Sequence, residues 1–222
     1  GAHAALPASL SCDVVIVGSG AGAGITAELL TQAGLDVVLI EEGPLKSSRD
    51  FNQRESEAYP SLYQESAARK TADKAINILQ GRCVGGSTTV NWTSSFRTPP
   101  DTLKFWQQHF GLGELSEAAM APWFQQAEAR LSIGPWLAAP NENNELLRRG
   151  AHKLGSCGMG CPTNAKQSML VTTIPAALDK GARLLVQTRA QTLETHSGQV
   201  TALLCYPVKG DGTAASSTPT RI

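Results

Sequence analysis

The chain has no charge imbalance: 19 Lys and Arg stand against 19 Asp and Glu in 222 residues. That argues against the basic footprint of a nucleic-acid binder and against a polyacidic interaction tail. It has no apolar run near the roughly 20 residues that a membrane-spanning helix needs. Residues 1–11, GAHAALPASLS, carry neither a basic stretch nor a long apolar core, so no intact secretory signal is expected and the compartment stays open between cytoplasm and periplasm. The first residue is Gly1 rather than methionine, for which processing, a tag remnant or truncation would each account.

Cysteine is sparse and odd in number, the five being Cys12, Cys83, Cys157, Cys161 and Cys205. Their dispersal does not suit a secreted disulfide scaffold. Cys12 and Cys205 read as small core residues of strands. Cys157 and Cys161 are four apart and flanked by glycine, but no second Cys or His pair lies near in sequence. Turn cysteines fit better there than a metal knuckle or a local disulfide, and no metal site is expected. Histidine is scarce as well. His3 lies in the lead-in, His109 and His152 on amphipathic helices, and His196 in a turn, so none has the partners of a catalytic acid or base. No catalytic residue is assigned within this chain.

What is present is concentrated in residues 12–43, CDVVIVGSGAGAGITAELLTQAGLDVVLIEEG. Val14, Val15, Ile16 and Val17 form an apolar run that predicts a buried strand. Gly18, Gly20 and Ala23 fit the G-x-G-x-x-G/A pattern, with Ala21, Gly22 and Gly24 as further small residues. A helix follows to Ala33, and Gly34 is placed to stop it. A second apolar run, residues 37–40, ends on Glu41 and Glu42. The parts have distinct physical uses. Gly18 permits the tight turn, Gly20 lets backbone approach a pyrophosphate, Ala23 keeps the helix close to the sheet, and the helix N-terminus offers free N–H groups. Glu41, about twenty residues on, is placed to accept hydrogen bonds from an adenosine ribose. Strand, glycines, helix, strand and acid in order predict a dinucleotide site on an α/β, Rossmann-like domain. This unit alone leaves FAD and NAD(P) open.

Residues 44–74 are polar, weakly periodic and too long for an ordinary connection; they predict a wrapping loop with short helical pieces, pinned by Tyr59, Pro60, Leu62 and Tyr63. Then comes INILQGRCVGGSTTVN, residues 76–91. Gly85, Gly86, Ser87 and Thr88 suit a backbone lying against a flat or anionic ligand, with N–H groups and hydroxyls as donors. Arg82 is placed to neutralise phosphate charge. The alternatives are a plain Gly-Ser loop, and for Asn91 a turn residue bonded to its own backbone.

The pairing of fingerprint and second loop resembles the glucose–methanol–choline (GMC) family of FAD-dependent oxidoreductases. Gly81, Arg82, Val84, Gly85, Gly86, Ser87, Thr88, Val90 and Asn91 follow that family's first signature in order. The chain departs at its tail, where Ser95 stands at a position of aromatic residue or Ala and Phe96 comes one later. The resemblance implies FAD rather than NAD(P), with the fingerprint on the ADP half, the second loop along the pyrophosphate and flavin edge, and Asn91 beside the flavin. It implies hydride transfer from an alcohol C–H to the flavin, which oxygen or another acceptor then reoxidises.

The stretch CGMGCPTNAKQSMLVTTIPAALDKGA, residues 157–182, is similar to the long-chain alcohol oxidase branch and to bacterial sugar and sugar-acid dehydrogenases. By the same resemblance residues 12–98 form the first part of an FAD domain. Residues 99–165 form an inserted helical segment of a substrate domain, and residues 166–222 a second part of the FAD domain. Residues between Gly155 and Ser156 are expected to be missing. In the inserted segment, helices are expected over residues 102–109, from Pro122 onwards, and over residues 141–154. Met120, Phe124, Ala127 and Leu131 lie on one face there, and Trp92, Trp106, Trp123 and Trp136 are expected to pack. After it come a helix over residues 172–180 stopped by Gly181, strands over 182–187, 190–195 and 199–206, and a hairpin turn at residues 196–198. Ala190 stands where the family usually has Val and contacts adenine through its backbone. The resemblance further implies that the catalytic His lies in a C-terminal half, or in a second chain, beyond Ile222. The partner of the site is a small-molecule alcohol. The rival readings are an NAD(P)-dependent dehydrogenase and a non-catalytic FAD-binding fragment that needs a partner chain.

Overall fold

The computed structural model describes residues 6–134 and 166–222. The chain divides into two compact units, residues 1–91 with 156–222, and residues 92–155. The residue 141–154 helix, the Cys157 and Cys161 turn and the suspected break after Gly155 lie outside the described residues, as do His3, His152 and Trp136.

The first unit is built on strand β1 (Val14–Val17), helix α1 (Ala21–Gln32) and strand β2 (Val37–Ile40). β2 lies between β1 and β3 (Arg183–Leu185), and both pairings are parallel. Alternation along β2 decides what covers each face. Val37 and Leu39 meet Ala27 of α1, Ala177 of the helix Thr173–Asp179, and Ala182. Val38 and Ile40 point the other way, onto Leu203, Cys205 and Ile222. All four β2 residues are buried, which is what a parallel strand covered on both faces requires.

The second covering layer is an antiparallel sheet of β4 (Thr188–His196), β5 (Gln199–Pro207) and β6 (Thr220–Arg221). β4 and β5 join at Ser197 and Gly198, whose φ of 50° and 79° are those of a two-residue hairpin turn. The α/β, Rossmann-like expectation holds. The helix end at Gly34 holds too. Gly34 (φ 87°) donates to Thr31 O and Leu35 to Leu30 O, the paired bonds of a Schellman stop.

One expectation for this unit needs correction. β1 is not buried like β2: Val14, Val15 and Ile16 are half-buried and Val17 is 62% exposed. The reason is position, since among the described residues β1 pairs in this sheet with β2 alone. Apolar Ile76, Ile78 and Leu79 lie outside any strand and are exposed, with Asn77 between them in an isolated bridge to Lys70. The long polar stretch does carry helix α2 (Glu55–Leu62), and Leu62 and Tyr63 anchor it in a cluster with Ala58, Cys83 and Val90.

In the second unit, α4 (Pro100–Phe110) starts with Pro at its first position and ends at Gly111 with φ 66°. α5 (Glu117–Arg130) begins five residues before Pro122, because Ser116 caps it by accepting the Ala119 N–H at 3.1 Å. No residue of α5 is buried; Met120, Phe124 and Leu131 are half-buried and Ala127 is exposed. Trp92 and Trp123 are 64% and 61% exposed, so packing does not account for them. Arg97 holds Glu128 by two bonds of 2.7 Å.

Candidate functional site

Parallel pairing places Val17 opposite Ile40, so the residues just past β1 and β2 emerge side by side. Ser19 and Glu41 meet there. The Glu41 Oε2 accepts the Ser19 N–H at 3.0 Å and the Ser19 hydroxyl, while Oε1 accepts the Gly43 N–H at 2.8 Å. Glu41 is buried, and burial pushes its pKa up; the Ser19 and Gly43 donors pull against that rise, and neighbouring Glu42 adds to it. α1 begins immediately beyond. Its N-cap is Gly20, no side chain bonds there, and the first turn has no acid. Ala21 and Gly22 are exposed and Ala23 is half-buried. A 12-residue helix with an open, uncapped N-terminus suits an anion.

The second glycine loop lies directly against this turn. A Cβ on Gly86 would come 2.9 Å from Gly20 Cα, and one on Gly81 2.6 Å from Gly86 C. Gly85 (φ 90°) donates its N–H to Ser19 Oγ at 3.1 Å. Ser87 Oγ accepts the Gly81 N–H at 3.0 Å, closing the loop on itself. Ser87 opens the short helix α3 (Ser87–Val90), and exposed Asn91 caps its far end. Cys83, also in this loop, is fully buried; burial and then Glu41 drive its thiol pKa to about 12, so it stays protonated and unreactive.

Residues 166–173 support both loops from behind. Buried Lys166 donates through Nζ to Asn91 O. The Met169 N–H bonds to Thr88 Oγ1 at 3.0 Å, and Met169 and Thr173 press on Gly24 of α1, where a Cβ would stand 2.4 Å from Thr173 Oγ1. The tight approach that the fingerprint assigns to Ala23 is therefore made one residue later, by Gly24 against α6 (Thr173–Asp179).

Arg82 and Glu42 have a different setting. Arg82 is 6% exposed and turns toward residues 210–212, its Nη2 bonding Gly210 O. Its Nη1 lies 3.9 Å from Glu42 Oε1 and has no hydrogen bond. Glu42 also pairs with Arg189 at 2.8 Å, and Arg189 reaches Gly212 O at 2.8 Å. The Arg82 charge expected to meet phosphate is thus directed at Glu42 and at the strap after β5. Ala190 sits on β4 opposite Cys205 of β5 and beside a register shift, its side chain packed against the Val38 and Ile40 cluster.

The residues fit a dinucleotide. The glycine backbones make a floor that a Cβ would fill at Gly86, and nothing lies within 4 Å of a Cβ on Gly18 or Gly22. Glu41 stands at one end as an acceptor. A cavity of about 540 Å³ beside residues 6–8 is lined by none of the residues expected in the site. Among the described residues no group of His, Cys, Asp and Glu is arranged to hold a metal ion, and no helix is long and apolar enough to cross a membrane. Sequence reasoning missed Ser19, Gly43, Lys166 and Met169. For Ser19 a signal existed: two adjacent parallel strands bring the residue between the first two glycines next to the acid that ends β2.

The fold and this double glycine loop are those of a dinucleotide-binding domain. Residues 59–220 match the model of the GMC oxidoreductase family, and the chain belongs to that family, whose members bind FAD. It is 30% identical over 201 residues to the long-chain-alcohol oxidase FAO1 of Arabidopsis thaliana, covering 83% of this chain and 26% of that protein. It is 31% identical over 217 residues to the uncharacterized GMC-type oxidoreductase y4nJ of Sinorhizobium fredii, covering 88% and 42%. In fold it is similar to pyridoxine 4-oxidase from Mesorbium loti, with a TM-score of 0.64 at 17% identity over 96% of this chain and 48% of that one. An FAD-dependent oxidoreductase from Chaetomium thermophilum gives 0.63 at 16% identity over 94% and 43%. The chain spans less than half the length of each of these proteins.

Proposed function

We propose that this chain holds FAD for an oxidoreductase that takes hydride from the CH–OH group of an alcohol. The observation that carries the reading is the contact of two glycine loops, Gly20 on Gly86, with the buried Glu41 carboxylate at its edge. The fingerprint turn serves the ADP half that FAD and NAD(P) share; a second glycine surface bonded to that turn suits a ligand that continues from it into a flat ring system.

The assignments follow from position. The turn at Gly18 and Gly20 and the N–H groups of Ala21, Gly22 and Ala23 receive the pyrophosphate. Glu41 accepts from the adenosine ribose, and the backbone of Ala190 meets the adenine. Gly85, Gly86, Ser87 and Asn91 face the flavin. Arg82 and Glu42 act one layer back, by fixing the strap after β5 to the end of β2. When bound, FAD supplies the hydride acceptor; the residues here bind it, orient it and exclude water from its phosphates. His109 and His196 are exposed and are assigned no proton transfer. None of the described residues is assigned that step.

The similarity to a long-chain-alcohol oxidase makes a primary alcohol the first substrate class to try. The test is to purify the full-length protein, identify the cofactor released on denaturation, and mix the holoprotein anaerobically with primary, secondary and sugar alcohols. Bleaching of the flavin bands by one class supports the reading. Failure to take up FAD, or a flavin that no CH–OH donor bleaches, overturns it.

A further inference from the structure

Ser19 is not one of the pattern's small residues, and the function proposed above does not use its side chain. Yet it is completely buried, and it bonds both the Glu41 carboxylate and the second glycine loop. A serine hydroxyl has one proton to give and two lone pairs to receive. Here the proton goes to Glu41 Oε2, and a lone pair takes the Gly85 N–H at 3.1 Å. The Ser19 N–H goes to the same carboxylate oxygen at 3.0 Å. With Gly43 N–H on Oε1, three of the roughly four lone-pair directions of a carboxylate are filled, and the open one is on Oε1.

We propose that Ser19 is a positioning residue for dinucleotide binding: its hydroxyl holds the Glu41 carboxylate ready to accept from ribose and ties the flavin-facing loop to the fingerprint turn. This rests on the FAD reading above. A buried carboxylate with no donors would swing or take up a proton, and either change removes the acceptor that a ribose hydroxyl needs. Ser19 opposes both. It fixes Oε2 from two directions, so the free lone pair of Oε1 has one orientation. It also favours the ionised form against burial and against the neighbouring charge of Glu42. From the second loop Cys83 faces Glu41, and Arg82 and Lys166 act on Cys83 in turn; these are the other titratable or charged groups in the electrostatic surroundings. Gly85 carries the second consequence. Its N–H has Ser19 Oγ as acceptor, so this side chain ties residues 81–91 to the fingerprint turn beside the Gly86–Gly20 backbone contact. The two ends of the site close as one unit.

The experiment uses the full-length protein stripped of FAD, as wild type, Ser19→Ala, Glu41→Gln and the double variant. FAD affinity is read by quenching of flavin fluorescence between about pH 5 and pH 9. Ser19→Gly runs in parallel, because glycine fits this turn and guards against a misfolded alanine variant. The expected result is an affinity lower by about tenfold or more in either Ser19 variant, the size of a lost hydrogen bond to a charged group. The acid-side loss of affinity moves to higher pH, because the hydroxyl that lowers the Glu41 pKa is gone. In the Glu41→Gln background the same change costs less than in wild type, because the part that acts through Glu41 is already gone and the tie to Gly85 alone is lost. Amide exchange of residues 85–91 speeds up in the apoprotein. Ser19 variants that bind FAD as wild type does, or that lose affinity equally at every pH and additively with Glu41→Gln, reduce Ser19 to a space-filling residue and overturn the proposal. A wild type that takes up no FAD overturns the reading of the site, and this inference with it.

Discussion

A Cβ on Gly43 would lie 2.2 Å from the carbonyl oxygen of Arg82 and 2.4 Å from the Cys83 nitrogen. The chain leaving β2 and the chain entering the second glycine loop therefore touch backbone to backbone. Gly43 also donates its N–H to Glu41 Oε1, so the contact and the carboxylate share one residue.

That relationship gives a first prediction. Gly43→Ala puts a methyl into backbone that no rotamer change relieves, so the loop has to move away from β2. Overpacking of this kind costs about 1–3 kcal/mol, and a backbone obstacle puts this site at the upper end. Urea unfolding of the apoprotein checks it: the midpoint falls with the slope unchanged. Gly22→Ala is the control: nothing lies within 4 Å of a Cβ there, and as a position in α1 it gains helix propensity, so the midpoint does not fall.

The stability of the apoprotein also depends on Glu41. Its folded pKa is raised by burial above the ordinary carboxyl value. In the window between the unfolded and folded values the native state binds more protons than the unfolded one. The Glu41 contribution is thus fully present below the unfolded pKa and is lost as pH rises through the folded pKa. Asp50, Asp73, Asp211 and Glu128 have lowered pKa values, and their contributions run the opposite way, lost as pH falls. The difference between wild type and Glu41→Gln isolates the first term. The stability of wild type relative to the variant declines with rising pH, and a flat difference across the range refutes the assignment.

Much of this arrangement was legible in the sequence because it depends on local pattern. Residues 14–17 and 37–40 announce strands, Gly34 a helix stop, and residues 196–198 a hairpin, and each is a matter of neighbours in the chain. The two glycine loops were legible for the same reason. Their contact was not, because residues 19–20 and 85–86 are separated by a long polar stretch whose path is set by anchors such as Leu62 and Tyr63. Arg82 shows the limit. Its place in a glycine loop suggests phosphate, but its partners Glu42 and Gly210 come from opposite ends of the chain. Exposed Val17, Trp92 and Trp123 show another. Apolar residue type predicts burial only where a neighbouring element covers the side chain, and pattern does not report which elements those are.

Lys166 supplies a prediction about local order. Its Nζ bonds the carbonyl of Asn91, the C-cap of α3, where a cation suits the helix terminus. Lys166→Met keeps the length and removes the donor. A hydrogen bond from a charged group contributes about 1.5–3 kcal/mol, so the amides of residues 87–91 lose protection while those of β2 do not. Hydrogen exchange resolved by peptide mass reads both regions in one sample. Equal change in the two means that Lys166 acts on global stability, and no change means that the bond contributes nothing.

The packing of α1 on α6 yields a double-mutant test. Gly24 leaves room for Thr173 Oγ1, which a Cβ would meet at 2.4 Å, and for Met169 Sδ, at 3.0 Å. Gly24→Ala raises helix propensity by about 1 kcal/mol relative to glycine, yet the overlap with buried Thr173 outweighs it, and the net change is destabilising by about 1–2 kcal/mol. Thr173→Ala alone removes a buried side chain and also destabilises. Combined, the two relieve each other, because the new methyl enters the space the threonine vacates. The coupling energy is therefore favourable, on the order of 1 kcal/mol, as expected for residues in direct contact. Thermal unfolding of the four proteins measures it. Strict additivity would mean that α1 shifts along α6 to absorb the methyl, and the close approach at Gly24 would then not be what sets the distance between the helix carrying the fingerprint and the segment behind the second loop.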